Sequence, residues 1–328
     1  MMISSSSVMF LTMLVSGIVL SVSADSWFGA WCGLELNMMS FIPFICFKDN
    51  QYTAEAALKY FLVQAFGSSM LIFSAMSLMY YSAFTKVICV SLLLKLGAAP
   101  LHFWFPQVLE GLSWPQCAVL MTLQKVAPMV LLTYVMKESV YIIYFSAILS
   151  ALVGAFGGIN QTMLRKLLAY SSINHMSWML FALKMSENIW FMYFIMYSII
   201  SISIVVLFHN QGIIYMSQLV NTDSSFSTFI SFMGLLSLGG LPPFTGFLPK
   251  WFIVQELSSN GIMIPLIILF LTSLVTLYYY LRVTYFHLVL MSSKLKWVSS
   301  FDSSRSGIIF FSVLNLYGLA VPSLFFMI

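Results

Sequence analysis

The stretch VSLLLKLGAAPLHFWFP, Val90 to Pro106, is almost wholly apolar, yet it holds Lys95, Gly97, Pro100 and His102 within eight positions. Glycine weakens a helix, and proline removes a backbone donor from it. The run therefore reads as a helix broken near Gly97–Pro100. A second stretch, LSLGGLPPFTGFLPK from Leu236, repeats the pattern. Both read Leu-x-Leu-Gly-x-x-Pro, Gly97 and Pro100 being matched by Gly239 and Pro242, and both close on a further proline, Pro106 and Pro249. What an ammonium group and an imidazole do in so oily a run depends on the solvent around it.

Composition fixes that solvent. Hydrophobic residues make up 61% of the chain and charged residues 7%, and the mean hydropathy is +0.97. Soluble domains carry roughly 25% charged residues, so this chain cannot clothe a surface facing water. It reads as an all-α integral membrane protein whose surroundings are the lipid bilayer. The net charge is +4, but the basic residues are scattered and no cluster points to nucleic acid. Cys32, Cys46, Cys89 and Cys117 all fall in apolar runs without metal-ligand spacing, so neither a zinc nor an iron–sulfur site is expected. GAFGGIN at Gly154 does not fit the dinucleotide-binding fingerprint.

A helix needs about 20 apolar residues to cross the hydrocarbon. On that ruler eleven spans are read, at about 8–23, 27–47, 54–80, 86–104, 113–136, 140–160, 166–184, 188–208, 226–250, 262–287 and 307–327. Most connections are short, which implies a single antiporter-like membrane domain over 1–328 with no soluble domain. The longest polar stretches are 209–225 and 291–307. LSVSADS, around Val22 and Ala24, resembles a signal-peptide cleavage site, but residues 1–7 lack the Lys or Arg of a positive n-region, so the first span is expected to be retained.

Lysine and arginine in short loops set orientation. One side collects Lys48, Arg165, Lys166, Lys294, Lys296 and Arg305, with Lys59 close by. The other has Lys86, Lys137 and Lys184, with Lys250 near the end of its span. The first side should face the compartment of synthesis, which places the N-terminus inside and the C-terminus outside.

The two Gly/Pro breaks lie in spans four and nine, and an offset of five reverses the direction of crossing. Membrane helices tolerate single breaks when neighbours satisfy the freed backbone groups. Two matching breaks point instead to inverted five-helix repeats, about 8–136 and 140–287, followed by a C-terminal helix at about 307–327.

Ionisable residues inside these spans cost about 2.5–3.5 kcal/mol at the helix centre on insertion scales, and they mark polar interiors or ion paths. Glu35, Lys95, Lys125 and His175 lie within spans, and Lys250 follows the second break. Glu55 and Lys59, four apart at a span end, read as a snorkelling ion pair, and Lys86, Lys137 and Lys184 as interfacial anchors. His175, in SSINHMSW, reads equally as a hydrogen-bonded core residue or as a proton relay. A low-dielectric site disfavours the charged form of a lysine, and a nearby carboxylate restores it. A Glu–Lys pair that forms and separates can thus switch a lysine between holding and releasing a proton. His102 and hydroxyl groups could extend such a chain, and the break supplies water and mobility. Lys95, Lys125 and Lys250 are expected along one polar line, with Lys125 between the other two.

EAALKYFLVQAFGSS, LLLKLGAAPLHFWFPQVLEGL, AYSSINHMSWM and LLSLGGLPPFTGFLPKW together resemble the subunit 2 family of mitochondrial NADH:ubiquinone oxidoreductase, respiratory complex I, over essentially the whole chain. Length and span count resemble the animal type, which lacks three N-terminal helices of the fourteen-helix bacterial relatives. The resemblance implies a proton-translocating, antiporter-like subunit of the membrane arm, in the mitochondrial inner membrane, with the N-terminus in the matrix and the C-terminus in the intermembrane space. It implies Glu35 and Lys95 as the key pair, Lys125 as the linking lysine, and Lys250 at the second broken helix, a position that is Lys or Glu in the wider family. Neighbouring membrane-arm subunits, other antiporter-like ones included, would be its partners. FMN, iron–sulfur clusters and ubiquinone would be bound by other subunits, with none in this chain. A Na⁺/H⁺ antiporter subunit and a purely structural spacer of the membrane arm are the rival readings.

The charge bias generates a test. A protease site or tag inserted in loop 291–306 should be reached only from the matrix side of intact mitoplasts, and access from the intermembrane side would reverse the orientation.

Overall fold

The computed structural model describes residues 5–46, 50–221 and 225–290. These form thirteen α-helices and, among the described residues, no strand beyond an isolated bridge between Met163 and Tyr215. Lys48 and everything from residue 291 on, including the expected span 307–327, the loop 291–306, Lys294, Lys296 and Arg305, lie outside the described residues. The chain divides into two compact units, Met1–Ser150 and Ala151–Ile328.

In the first unit α1 (Ser5–Val22) and α2 (Trp27–Ile45) pack as a hairpin. Ser26 caps α2, its hydroxyl accepting from the Gly29 N–H at 3.2 Å. Lipid tails are as apolar as leucine, so helix association in a membrane relies on close approach through small residues. A Cβ on Gly17 would lie 2.8 Å from the Asn37 nitrogen, and one on Gly33 would strike the Ser21 backbone. The two backbones are in direct contact there. α3 (Gln51–Ser77) follows and packs on both α2 and α4 (Thr85–Leu96).

α4 stops where the sequence places its break. Gly97 adopts φ 72°, a left-handed conformation that glycine takes without steric cost. Gly97 N–H bonds to Leu94 O and Ala98 N–H to Leu93 O, both at 3.1 Å, the two bonds of a Schellman cap. The chain resumes helix as α5 (Trp104–Gly111), so the second half extends beyond the expected end at 104. Span 113–136 was expected to be continuous. It is two helices instead, α6 (Trp114–Met121) and α7 (Leu123–Val135), interrupted at Thr122 (φ −117°, ψ −78°). The Thr122 hydroxyl bonds to Ala118 O at 2.7 Å, the side-chain-to-backbone bond by which threonine bends helices.

α8 (Val140–Gly158) carries the chain into the second unit. α9 (Leu164–Met185) is buried over most of its length and carries Ser171, Ser172, Asn174, His175 and Ser177 on buried faces. α10 (Glu187–Gln211) is capped by Ser186 and ends on Gly212, φ 66°. The second break falls between α11 (Ser225–Gly239) and α12 (Phe247–Ser259), and α13 (Met263–Leu290) completes the unit. α12 runs past the expected limit at 250. Leu241 N–H bonds to Leu236 O and Gly240 N–H to Ser237 O, again a Schellman cap. Its left-handed residue is Gly240 (φ 81°) rather than Gly239, so the cap sits one residue later than in the first copy of the motif.

Among the described residues seven helical segments, α6 and α7 counted as one, are long and apolar enough to cross a membrane. The chain is an all-helical membrane protein. The Lys59–Glu55 ion pair forms at 2.7 Å with both side chains well exposed, as expected at a span end, and contributes little.

A residue other than glycine in the left-handed region costs about 1–2 kcal/mol. Gly97→Ala should therefore lower the melting temperature in detergent, and by more than Gly212→Ala. A Cβ at Gly97 would lie 3.2 Å from Phe105 Cβ, whereas one at Gly212 meets nothing within 4 Å. Equal losses would show that Phe105 does not constrain the break.

Candidate functional site

Lys95 occupies the last turn of α4 and is buried. The break leaves carbonyls without intrahelical donors, and neutral side chains fill them. Gln64 of α3 donates its amide to Lys95 O at 3.2 Å, and the Trp104 indole donates to Leu94 O at 3.1 Å. Lys125, on the first turn of α7 just past the Thr122 interruption, is 2% exposed, with its ammonium 5.2 Å from the centre of the Phe105 ring.

Lys95 and Lys125 line one internal cavity of about 10 Å³, shared with Asn37, Tyr60, Gln64 and Gln124. A cavity of that size holds about one water, which needs two to four polar partners. Three of the liners form a fixed chain across it. The Tyr60 hydroxyl donates to Gln124 Oε1 at 3.2 Å, and Gln124 Nε2 donates to Asn37 Oδ1 at 2.9 Å. The Gln124 amide is thereby held in one orientation, immediately before Lys125 in sequence.

Glu35 on α2 is half-buried, and its charge acts on both Lys95 and Tyr60. Its carboxylate makes no ion pair with Lys95 within 4.0 Å and does not line the cavity. His102 stays within the break, its Nδ1 3.2 Å from Pro100 O and its ring against Phe103. It does not reach the lysine cavity.

The second unit builds a different arrangement. Lys250, on the first turn of α12, donates its ammonium back to the end of α11, to Gly239 O at 2.9 Å and Leu238 O at 3.3 Å. A cation at a helix C-terminus is favoured by the dipole, so this lysine closes the break that exposes it. Gly240 permits the contact, because a Cβ there would lie 2.9 Å from Lys250 Nζ. The same ammonium stands 5.7 Å from the centre of the Trp178 ring on α9. His175, one turn earlier on α9, is buried with Nδ1 2.8 Å from the Tyr193 hydroxyl of α10.

Asn37, Tyr60, Gln64 and Gln124 were not singled out from sequence. The available signal was the presence of Gln64 and Gln124 inside apolar spans, where a neutral amide needs partners as much as a charge does. Among the described residues no cluster of His, Cys, Asp or Glu could hold a metal ion, and all four cysteines are free thiols.

Sequence likeness over nearly the whole chain places it in a known class. A family model described as the NADH:quinone oxidoreductase/Mrp antiporter transmembrane family matches residues 24–86 and 82–276. The NADH-ubiquinone oxidoreductase chain 2 of Anopheles gambiae is 45% identical over 334 aligned positions, covering 97% of each chain. The chain belongs to the NADH-ubiquinone oxidoreductase chain 2 family. Its fold is shared with a chain of respiratory complex I from Thermus thermophilus (TM-score 0.85, 23% identity, 98% of this chain and 79% of that one). It is shared too with a chain of the Mrp complex from a Dietzia species (TM-score 0.81, 13% identity, 96% and 75%).

Gln124→Leu should leave the Tyr60 hydroxyl and the Asn37 amide oxygen without this partner, at about 1–3 kcal/mol for each buried group left unpaired. The expected result is a lower melting temperature that Tyr60→Phe in the same chain partly restores, since the second change removes one orphaned group. Simple additivity of the two losses would show that the chain Tyr60–Gln124–Asn37 is not an energetic unit.

Proposed function

We propose that this chain is a proton-translocating membrane-arm subunit of respiratory complex I, a component of an H⁺-translocating NADH:ubiquinone reductase that carries no redox centre of its own. The observation that carries the reading is the pairing of two helix breaks with buried lysines, Lys95 sharing a one-water cavity with Lys125 and Lys250 bonded to the end of α11. Family membership favours complex I over an Mrp-type antiporter, whose likeness to this chain is at the level of fold alone.

In this reading Lys95 and Lys125 exchange a proton through the water that the cavity admits. The proton moves from one ammonium to the water oxygen, and a second proton leaves that oxygen for the other amine, so charge shifts without net gain. Glu35 tunes Lys95 through its field. His175 and Lys250 form the corresponding segment of the second unit. In this reading the segments at about 8–136 and 140–287 are inverted five-helix repeats of an eleven-span subunit, with a C-terminal helix at about 307–327. The protein resides in the mitochondrial inner membrane, with its N-terminus in the matrix and its C-terminus in the intermembrane space. Neighbouring membrane-arm subunits flank it, and FMN, iron–sulfur clusters and ubiquinone are held by other subunits.

The test is proton uptake per electron in reconstituted complex. Lys125→Leu, and separately Glu35→Gln, should assemble yet lower the ratio of protons moved to NADH oxidised. A structural spacer would leave that ratio at the wild-type value. An antiporter subunit would make it depend on Na⁺.

A further inference from the structure

Polar atoms buried without a protein partner are rare in native folds, and each calls for an explanation such as an ordered water. In the second unit two of them, with a pair of buried phenols, lie about the segment between His175 and Lys250. Among the described residues, Asn174 Oδ1 and Thr245 Oγ1 have no hydrogen-bond partner, while the Tyr279 and Tyr280 hydroxyls interact with each other and that of Tyr280 with Ser171 of α9. Tyr279 and Tyr280 are each 1% exposed, as is Asn174, and Thr245 is 8% exposed.

Their placement is directional. The rings of Tyr279 and Tyr280, consecutive on α13, meet edge to face with centroids 4.7 Å apart. The first faces α8, where a Cβ on Gly158 would lie 2.7 Å from Tyr279 Cε1. One turn back along α8, Gly154 is in backbone contact with Asn174, the neighbour of His175. The other ring faces the break, since a Cβ on Gly239 would lie 3.5 Å from Tyr280 Cδ2, and it is the Gly239 carbonyl that holds Lys250. Thr245 lies inside that break, between α11 and α12. These oxygens thus run from the α8–α9 contact beside His175 to the α11–α12 break beside Lys250.

We infer that Tyr279 and Tyr280, with Asn174 and Thr245, line a hydrated relay that passes protons between His175 and Lys250. The inference rests on the proton-transfer reading of Lys250 and adds residues that reading does not require. A buried water makes about three hydrogen bonds, to otherwise unsatisfied groups such as Asn174 Oδ1 and Thr245 Oγ1. A phenol oxygen both accepts and donates. One O–H bond forms with a proton arriving from water as the original O–H bond breaks toward the next water, so the tyrosine moves one proton and remains neutral. Phenylalanine keeps the ring and removes that oxygen.

Relay and packing roles predict opposite outcomes for Tyr280→Phe in the assembled complex. A packing role predicts at most a change in thermal stability, with an unchanged ratio of protons to electrons. The relay predicts that the ratio falls to the value given by Lys250→Leu while complex content stays at wild type. Thr245→Val, also isosteric, should lower the ratio in the same direction and is an independent readout should Tyr280→Phe assemble poorly. A wild-type ratio in both isosteric variants, alongside a reduced one in Lys250→Leu, overturns the relay and leaves the lysine reading standing. A wild-type ratio in Lys250→Leu as well overturns both.

Discussion

Within hydrocarbon, every backbone N–H and C=O must find its partner inside the protein, because no water is present to take its place. The two helix breaks are the points where this constraint bears hardest. Each ends a helix in mid-chain and frees carbonyls at membrane depth. The structure answers twice with the same backbone device, a Schellman cap on a left-handed glycine, and then with different side chains. At Gly97 the remaining carbonyl is taken by the neutral amide of Gln64 and the Trp104 indole serves its neighbour. At Gly240 the ammonium of Lys250 takes two carbonyls at once. The polar residues gathered at each break follow from the need to close it.

That difference gives the units distinct chemistry despite their shared motif. In the first, both lysines look into a single tiny cavity crossed by the Tyr60–Gln124–Asn37 chain. In the second, the lysine lies against an aromatic ring and a helix end, and the histidine on the neighbouring helix is bonded to a tyrosine. The one-residue shift of the cap between the copies matters here. A helix turns 100° per residue, so the chain leaves α4 and α11 in different directions from nearly identical sequence. Motif identity therefore does not carry over to side-chain position, and the buried lysine stands before one break, at Lys95, and after the other, at Lys250.

The breaks and the lysines were legible because each violates a strong rule: Gly and Pro interrupt an apolar run, and a charge sits where lipid forbids it. The fold beyond them was legible in the same measure, helix standing at each segment read between 8 and 287. The Thr122 interruption was not, since it involves neither glycine nor proline and depends on a side-chain bond to Ala118. Break lengths were misjudged for a related reason, α5 and α12 being aromatic and proline-containing stretches whose helicity is set by packing. The amide and phenol network was invisible because its members lie 64 and 87 positions apart. Tyrosine and asparagine in a span read as ordinary until their partners are known.

Lys250 has a double duty with a mechanical side. Its charge complements the negative end of α11, an interaction worth about 0.3–1 kcal/mol at exposed sites and up to about 2 when partly buried. Neutralising the amine would remove the charge's share of that attraction but leave two N–H groups, as many as the two carbonyls they now serve. The joint between α11 and α12 is thus fastened by geometry first and by charge second.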